Sequence, residues 1–342
     1  MLRFCIVGAG FISGVHAQAL SEIPEAKISV VCDNAEKAAI AMAEKVGAAP
    51  ETDYRRAIER DDVDVVCVCT PSGTHADIAV AAAQAGKHLV VEKPLDVTLE
   101  RVNRIIHAAR TAGVKLTCIF PYRFMRGAAL AKQALDQGRL GRLVLADAYI
   151  KWYRPQEYYD SSNWKGTWAL DGGGALMNQG IHNIDLLTYL AGPVSGVVAR
   201  TATLAHQMET EDTAVALLMY GNGALGAIEG STASWPGTSG RVELHGDRGS
   251  IALEDGRIVT WKMADASAEE EAEVLGETNL GSGASSVSGF SHEMHRRQLA
   301  DMVEAILHDR APAIDGSEGR RSVAIILAIY ESSRRGGWVT LT

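Results

Sequence analysis

Apolar residues in the first third of the chain fall in short unbroken runs: Phe4 to Val7, Ile28 to Cys32, Val63 to Cys69, His88 to Val91 and Lys115 to Ile119. Runs that are apolar at nearly every position suit strands buried on both faces of a parallel sheet. The stretches between them, Glu36 to Val46, Ala76 to Ala85 and Leu99 to Ala112, have helical periodicity and end near Gly47, Gly86 and Gly113. Strand and helix alternating in this way predict a doubly wound α/β domain.

Past Pro121 the period changes. Leu143 to Trp152, Gly196 to His206, Thr213 to Tyr220 and Ala224 to Ser231 alternate polar and apolar positions, as strands of an antiparallel sheet with unlike faces do. The Asn222-Gly223 pair supplies a hairpin turn between two of them. Helices are expected from Gly174 to about Leu190, from Ser291 to His308 and from Gly319 to Arg334. Glu269 to Gly289, acidic and then rich in Gly and Ser, reads as an exposed loop. The expected organisation is a doubly wound Rossmann domain over residues 1–121. A second, α+β domain over 122–342 carries a large, mostly antiparallel open sheet.

A chain of 342 residues has room for about two such domains. With 33 Lys and Arg against 42 Asp and Glu, its formal charge of -9 has the wrong sign for following a phosphate backbone, so nucleic acid is not an expected partner. No apolar run reaches the roughly 18 residues needed to span a bilayer, and no basic leader precedes the first strand. A cytoplasmic protein without a membrane partner is expected. Cys5, Cys32, Cys67, Cys69 and Cys118 sit in or beside apolar runs, and Cys67-Val68-Cys69 has neither redox nor zinc spacing. They read as buried thiols, and no metal site is expected.

Gly8-Ala9-Gly10-Phe11-Ile12-Ser13 follows a predicted strand and opens a predicted helix, the context in which a dinucleotide fingerprint has physical meaning. Gly8 would make the tight turn, and Gly10 would let the backbone approach a pyrophosphate at the helix N-terminus, beside Phe11 and Ile12. Ser13 replaces the third glycine. Asp33 ends the second strand about 20 residues on, where a carboxylate binds the adenosine ribose diol and repels a 2'-phosphate. NAD is therefore favoured, and NADP stays possible because Lys37 lies one turn further on. Thr70-Pro71-Ser72-Gly73-Thr74-His75 is another strand end entering a helix. Ser72 or Thr74 could cap that helix, and His75 suits a capping or packing role as well as a ligand contact.

Gly8-Ala9-Gly10, the Thr70 to His75 turn, Glu92-Lys93-Pro94, the stretch Gly172 to Asp185 and the turn Asp315 to Arg320 together resemble the glucose-fructose oxidoreductase / inositol dehydrogenase / MocA family, over essentially the whole chain. The resemblance implies NAD(P)-dependent oxidation or reduction of a secondary alcohol or ketone on a sugar, cyclitol or nucleotide sugar. It implies that Lys93 sits at the nicotinamide, that Glu92, Thr70, Pro71, Ser72 and His75 lie along the cofactor, and that His182 exchanges the hydroxyl proton. A pair like Trp164-Lys165 reaches the cofactor in related enzymes. Where several branches carry Asp four residues before the histidine, this chain has Asn178. Asp185, three residues after His182, could supply that charge or bind sugar.

Tyr122-Arg123, Lys151-Trp152-Tyr153-Arg154, Tyr158-Tyr159 and Trp164-Lys165 supply aromatic faces and cations suited to polyhydroxylated rings, or to a carboxylate or phosphate. Tyr122, Arg123, Lys151, Asn178 and Asp185 are the substrate candidates. Rival readings are a silent NAD(P)-binding regulator and, among enzymes, a dihydrodiol or imine reductase. One uncovered sheet face suggests a homodimer or homotetramer.

Overall fold

The computed structural model describes residues 1–277 and 291–341, and among these fourteen strands form two sheets. The early apolar runs become β1 (Leu2–Val7), β2 (Ala26–Cys32), β4 (Val65–Val68), β5 (His88–Val91) and β6 (Leu116–Cys118), with the short β3 (Ala49–Glu51) at one edge. All pair in parallel, in the order β3-β2-β1-β4-β5-β6. Helices cover this sheet, so Phe4, Ile6, Val30, Val65, Val66, Leu89 and Val90 are fully buried, which explains the unbroken apolar runs. The five cysteines are all buried, and none forms a disulfide.

The chain divides into two units. The first comprises Met1–Pro121, Ala169–Gly172 and His292–Val323. The later segments, placed in the second domain by the sequence reading, thus pack with the first sheet. The reason lies on the helix Glu293–Leu307. Its Leu299, Met302 and Val303 join the cluster formed by Phe4, Ile6, Leu20 and Ile119. Gln298 of the same helix accepts the Phe120 N–H at 3.0 Å and donates to the Cys118 carbonyl at 2.7 Å.

The second unit comprises Tyr122–Trp168, Gly173–Ser291 and Ala324–Thr342. Its strands are β7 (Leu143–Lys151), β8 (Val194–Ala202), β9 (Thr213–Tyr220), β10 (Leu225–Ser231), β11 (Arg241–Gly246), β12 (Gly249–Glu254), β13 (Arg257–Met263) and β14 (Val339–Thr340). They pair in the order β13-β12-β11-β7-β10-β9-β8-β14, antiparallel except for β7 beside β10. Alternation separates the faces. On β9, Ala214, Ala216, Leu218 and Tyr220 are buried, while Val215, Leu217 and Met219 are exposed. Gly223 takes a positive φ in the turn into β10, and Asn222 Oδ1 accepts the Ala224 N–H.

The acidic stretch expected to be a loop is helical over Ala268–Glu277. Glu269, Glu270 and Glu271 fill its first turn, where the helix dipole favours anions. Arg139 pairs with Glu270 and Lys262 with Glu271. The remainder of that stretch lies outside the described residues. No helix among the described residues is long and apolar enough to cross a membrane.

Candidate active site

In the first unit the ends of β1, β2, β4 and β5 are in register: Val7 pairs with Cys32 and with Val68, and Val68 with Val91. The next residues along, Gly8, Asp33, Cys69 and Glu92, therefore emerge along one edge. Sheet order reverses between β1 and β4, and doubly wound sheets bind ligands at the strand ends beside such a switch. Gly8 adopts φ +100°, and a Cβ there would stand 2.5 Å from the Cys69 carbonyl oxygen, so only glycine fits the turn. A Cβ on Gly10 would meet nothing within 4 Å, which leaves the start of the helix Phe11–Ser21 open. That helix has no side-chain cap and no acidic residue in its first turn, so its leading N–H groups suit a phosphate. Phe11 is exposed and Ile12 half-buried beside them. Asp33 accepts the Ala9 N–H at 2.7 Å and the Ala35 N–H at 2.8 Å, which fixes its carboxylate against the glycine turn.

Three expectations at this edge are corrected. His75 is buried, and its ring nitrogens contact the carbonyl oxygens of Pro94 and Thr70 at 2.8 and 2.9 Å. It braces the turn of Thr70, Pro71 and Ser72 against the turn after Lys93, whose peptide bond to Pro94 is cis, and both ring nitrogens are taken up by this packing role. Neither Ser72 nor Thr74 caps the helix His75–Gln84; Asp96 accepts the Ala76 N–H instead. Glu92 is buried too. Its Oε1 meets His16 Nε2 at 2.8 Å, and its Oε2 accepts the Lys93 N–H at 3.0 Å. The carboxylate is thus turned inward, and Lys93 beside it is half-buried.

His16 and His295 were not foreseen, because a lone histidine on an amphipathic helix carries no signal of what it will face. Burial would push the Glu92 carboxyl up, but the hydrogen-bonded His16 ring outweighs it and holds Glu92 down to about 2. Burial likewise pulls His295 down to about 4. The nearest polar atoms of His16, Glu92 and His295 lie within 4.8 Å of one another, a set that could hold a metal ion. The short His16 to Glu92 contact is nevertheless that of a hydrogen-bonded ion pair.

In the second unit the stretch after the three glycines opens as a π-helical turn, Ala175–Gly180, continued by the helix Ile181–Ala191. Isolated π-turns recur at functional sites. From Ala175 to Asp185 every residue is buried except Asn178 and His182. These two, four apart, are the ones this segment presents outward. The His182 ring stacks on Tyr122 with centroids 5.1 Å apart. Burial pushes the Tyr122 phenol up, as does the Asp255 charge, and Arg154 opposes them. Asn178 Oδ1 accepts from Gln179 Nε2, which also donates to Tyr158 Oη. Lys165 Nζ sits 4.2 Å from the centre of the Tyr158 ring and donates to Ser161 Oγ, while Trp164 is half-buried in the same turn.

Glu211, also unforeseen, holds the π-turn in place. It accepts the Gly174 N–H at 3.1 Å, the Leu176 N–H at 2.9 Å and the Tyr330 hydroxyl at 2.9 Å. Burial pushes its carboxyl up to about 7, despite these donors.

Arg123 and Asp185 are not presented as substrate groups. They form a buried bidentate pair at 2.7 and 2.8 Å, with the guanidinium over the Tyr189 ring, because a charge inside the unit is tolerated only when matched. Lys151 is displaced by strand alternation. Ile150 lies under Gly180 of the π-turn, so Lys151 projects to the opposite face, where it pairs with Glu229. Tyr122 is buried and meets the site through its stack on His182.

The family description "Oxidoreductase family, NAD-binding Rossmann fold" matches residues 2–120, and "GFO/IDH/MocA C-terminal domain" matches residues 128–252. The chain belongs to the GFO/IDH/MocA oxidoreductase family. It is 32% identical to inositol 2-dehydrogenase of Rhizobium meliloti over 77% of this chain and 78% of that one. It is 28% identical to myo-inositol 2-dehydrogenase of Thermotoga maritima over 97% and 96%. The crystal structure of the WlbA dehydrogenase from Bordetella pertussis in complex with NADH and UDP-GlcNAcA superposes with a TM-score of 0.92 at 36% identity, covering 100% of this chain and 98% of that one. As a member of this family the chain is an NAD-binding oxidoreductase of the sugar, cyclitol or nucleotide-sugar dehydrogenase type. Its own residues fit the cofactor: the open position over Gly10 and the uncapped helix behind it are what a pyrophosphate requires.

Proposed function

We propose that the chain moves a hydride between nicotinamide and a ring carbinol carbon of a sugar-like substrate, with His182 as acid/base and Lys93 polarising the reacting oxygen. The observation that carries this reading is that, between Ala175 and Asp185, only Asn178 and His182 are not buried. Bound NAD supplies the acceptor for the carbinol hydride. His182 removes the hydroxyl proton as the C–O bond becomes a carbonyl, and returns it in the reverse direction. Asn178, an amide, orients a hydroxyl or the imidazole without adding the charge that an aspartate would supply. Lys93, fixed at its backbone N–H by Glu92, lends a cation to the oxygen whose charge grows. Glycine turn, helix start and Asp33 bind NAD in preference to NADP, and Trp164 and Lys165 also contact it.

The test follows NADH absorbance with inositols, aldoses, uronates and nucleotide sugars, using Lys93→Ala and His182→Ala as controls. Turnover by the wild type that falls at least about 100-fold in each variant is expected, the lower end for a positioned acid/base. Undiminished turnover in either variant would remove that residue from the reaction. Leu145, Val215, Leu217, Met219 and Leu225 are exposed on one face of the second sheet, and association would bury them. A second copy of the chain covers this face.

A further inference from the structure

We infer that Arg154 and Trp152 form an anion-holding subsite beside His182, and that the substrate is an acidic sugar whose carboxylate they bind. This rests on the hydride-transfer reading above and names its substrate class. Continued alternation from β7 places Ile150, Trp152 and Arg154 on the face that carries the π-turn. The guanidinium carbon of Arg154 lies 5.6 Å from the centre of the Trp152 ring and 5.7 Å from that of Tyr158. Tyr158 in turn is hydrogen-bonded through Gln179 to Asn178.

Two donors here lack an acceptor among the described residues: Arg154 Nε and Trp152 Nε1, both inaccessible to solvent. A buried donor left in that state is costly, and an oxygen acceptor admitted with a substrate would relieve that cost at both neighbouring side chains. Arg154 Nη1 donates to the Tyr153 carbonyl, so the guanidinium also has a fixed plane. Its backbone is fixed as well. The Arg154 N–H donates to Thr232 O at 2.8 Å, and the Arg154 carbonyl meets His206 Nε2 at 2.7 Å. Asp212 secures that histidine from its other nitrogen at 3.1 Å. A planar guanidinium flanked by rings and an indole N–H matches a carboxylate, which takes two or more donors in one plane. A neutral cyclitol would leave the arginine facing a hydroxyl.

The test is calorimetric titration of the NAD-saturated protein with UDP-N-acetylglucosaminuronate, UDP-N-acetylglucosamine, glucuronate and myo-inositol, followed by turnover of each. The wild type is expected to bind each acid at least about 30-fold more tightly than its neutral counterpart, the lower end for a buried charged contact. Arg154→Met is expected to lose that margin in Kd and KM while leaving kcat and NAD affinity within about threefold. Arg154→Lys, which keeps the charge without the fork, is expected to restore part of it. Equal binding of acidic and neutral sugars, or an Arg154→Met loss shared by UDP-N-acetylglucosamine, would overturn the carboxylate subsite. Tight binding of an acid without turnover would count against the hydride-transfer reading and leave the subsite standing.

Discussion

Replacing Arg123 with leucine tests whether the Arg123 and Asp185 pair is structural. Both side chains are almost wholly buried, at 5% and 0% exposure, and their two hydrogen bonds are 2.7 and 2.8 Å long. Arg123→Leu leaves the Asp185 carboxylate in the interior with its counter-charge gone, a change that costs about 3–5 kcal/mol in comparable buried pairs. For a domain the size of the second unit, about 2–4 °C of Tm accompanies each kcal/mol. The expected fall is therefore about 6–20 °C. The double variant Arg123→Leu/Asp185→Leu removes both charges and should recover most of that loss, since matched burial needs no ionic partner. Thermal unfolding followed by circular dichroism measures the stability, and steady-state kinetics on the double variant measures function. KM within about threefold of wild type is expected, because neither side chain is presented to substrate. A single variant that loses less than about 2 °C, or a double variant no more stable than the single, would refute the buried-pair argument. A folded double variant with a greatly raised KM would restore the two residues to the substrate site.

Gly8→Ala should lower Tm, since its Cβ has no room beside Cys69, whereas Gly10→Ala should keep Tm within about 2 °C and raise the Kd for NAD at least about tenfold, equivalent to about 1.4 kcal/mol. Denaturant titrations against pH test Glu211. In the folded chain it keeps its proton until about 7, whereas the unfolded chain releases it near 4.5, so the folded state holds more protons in that window. Stability should thus fall by up to roughly 3 kcal/mol as pH rises from about 4.5 to 7, and Glu211→Gln should flatten the slope. In analytical ultracentrifugation the wild type is expected to sediment as an oligomer and Leu217→Arg, on the open face of the second sheet, as a monomer; a monomeric wild type, or an oligomer unchanged by the substitution, would refute association through this face.

What could be read from the residues alone depended on how local the cause was. Val65 to Val68 is buried on both faces and says so at every position, and the Asn222-Gly223 turn carries its geometry in its own side chains. The helix that carries His182 was legible because glycines and a helical period frame it. Arg123, Asp185 and Lys151 were misplaced because polarity alone does not distinguish a ligand contact from an internal partner. Asp185 finds its cation 62 positions earlier, and Lys151 is turned away by a parity that depends on which face the π-turn covers. Glu211 gave only a faint signal, two acidic residues opening an apolar strand. Its donors come from the backbone at 174 and 176 and from Tyr330. The helix Ala268–Glu277 was missed because the charges that hold it, Arg139 and Lys262, lie outside its own sequence.

The helix Glu293–Leu307 has a consequence for synthesis. A chain leaving the ribosome exposes all six strands of the first sheet before Leu299, Met302 and Val303 exist to cover Phe4, Ile6 and Ile119. Until then the Phe120 N–H also waits for Gln298. At roughly 5–20 residues per second, the delay from residue 121 to residue 303 lasts on the order of ten seconds or more. During that interval the nascent nucleotide-binding unit presents apolar surface to whatever chaperone attends the tunnel exit, and a gene truncated after residue 121 would make that state permanent.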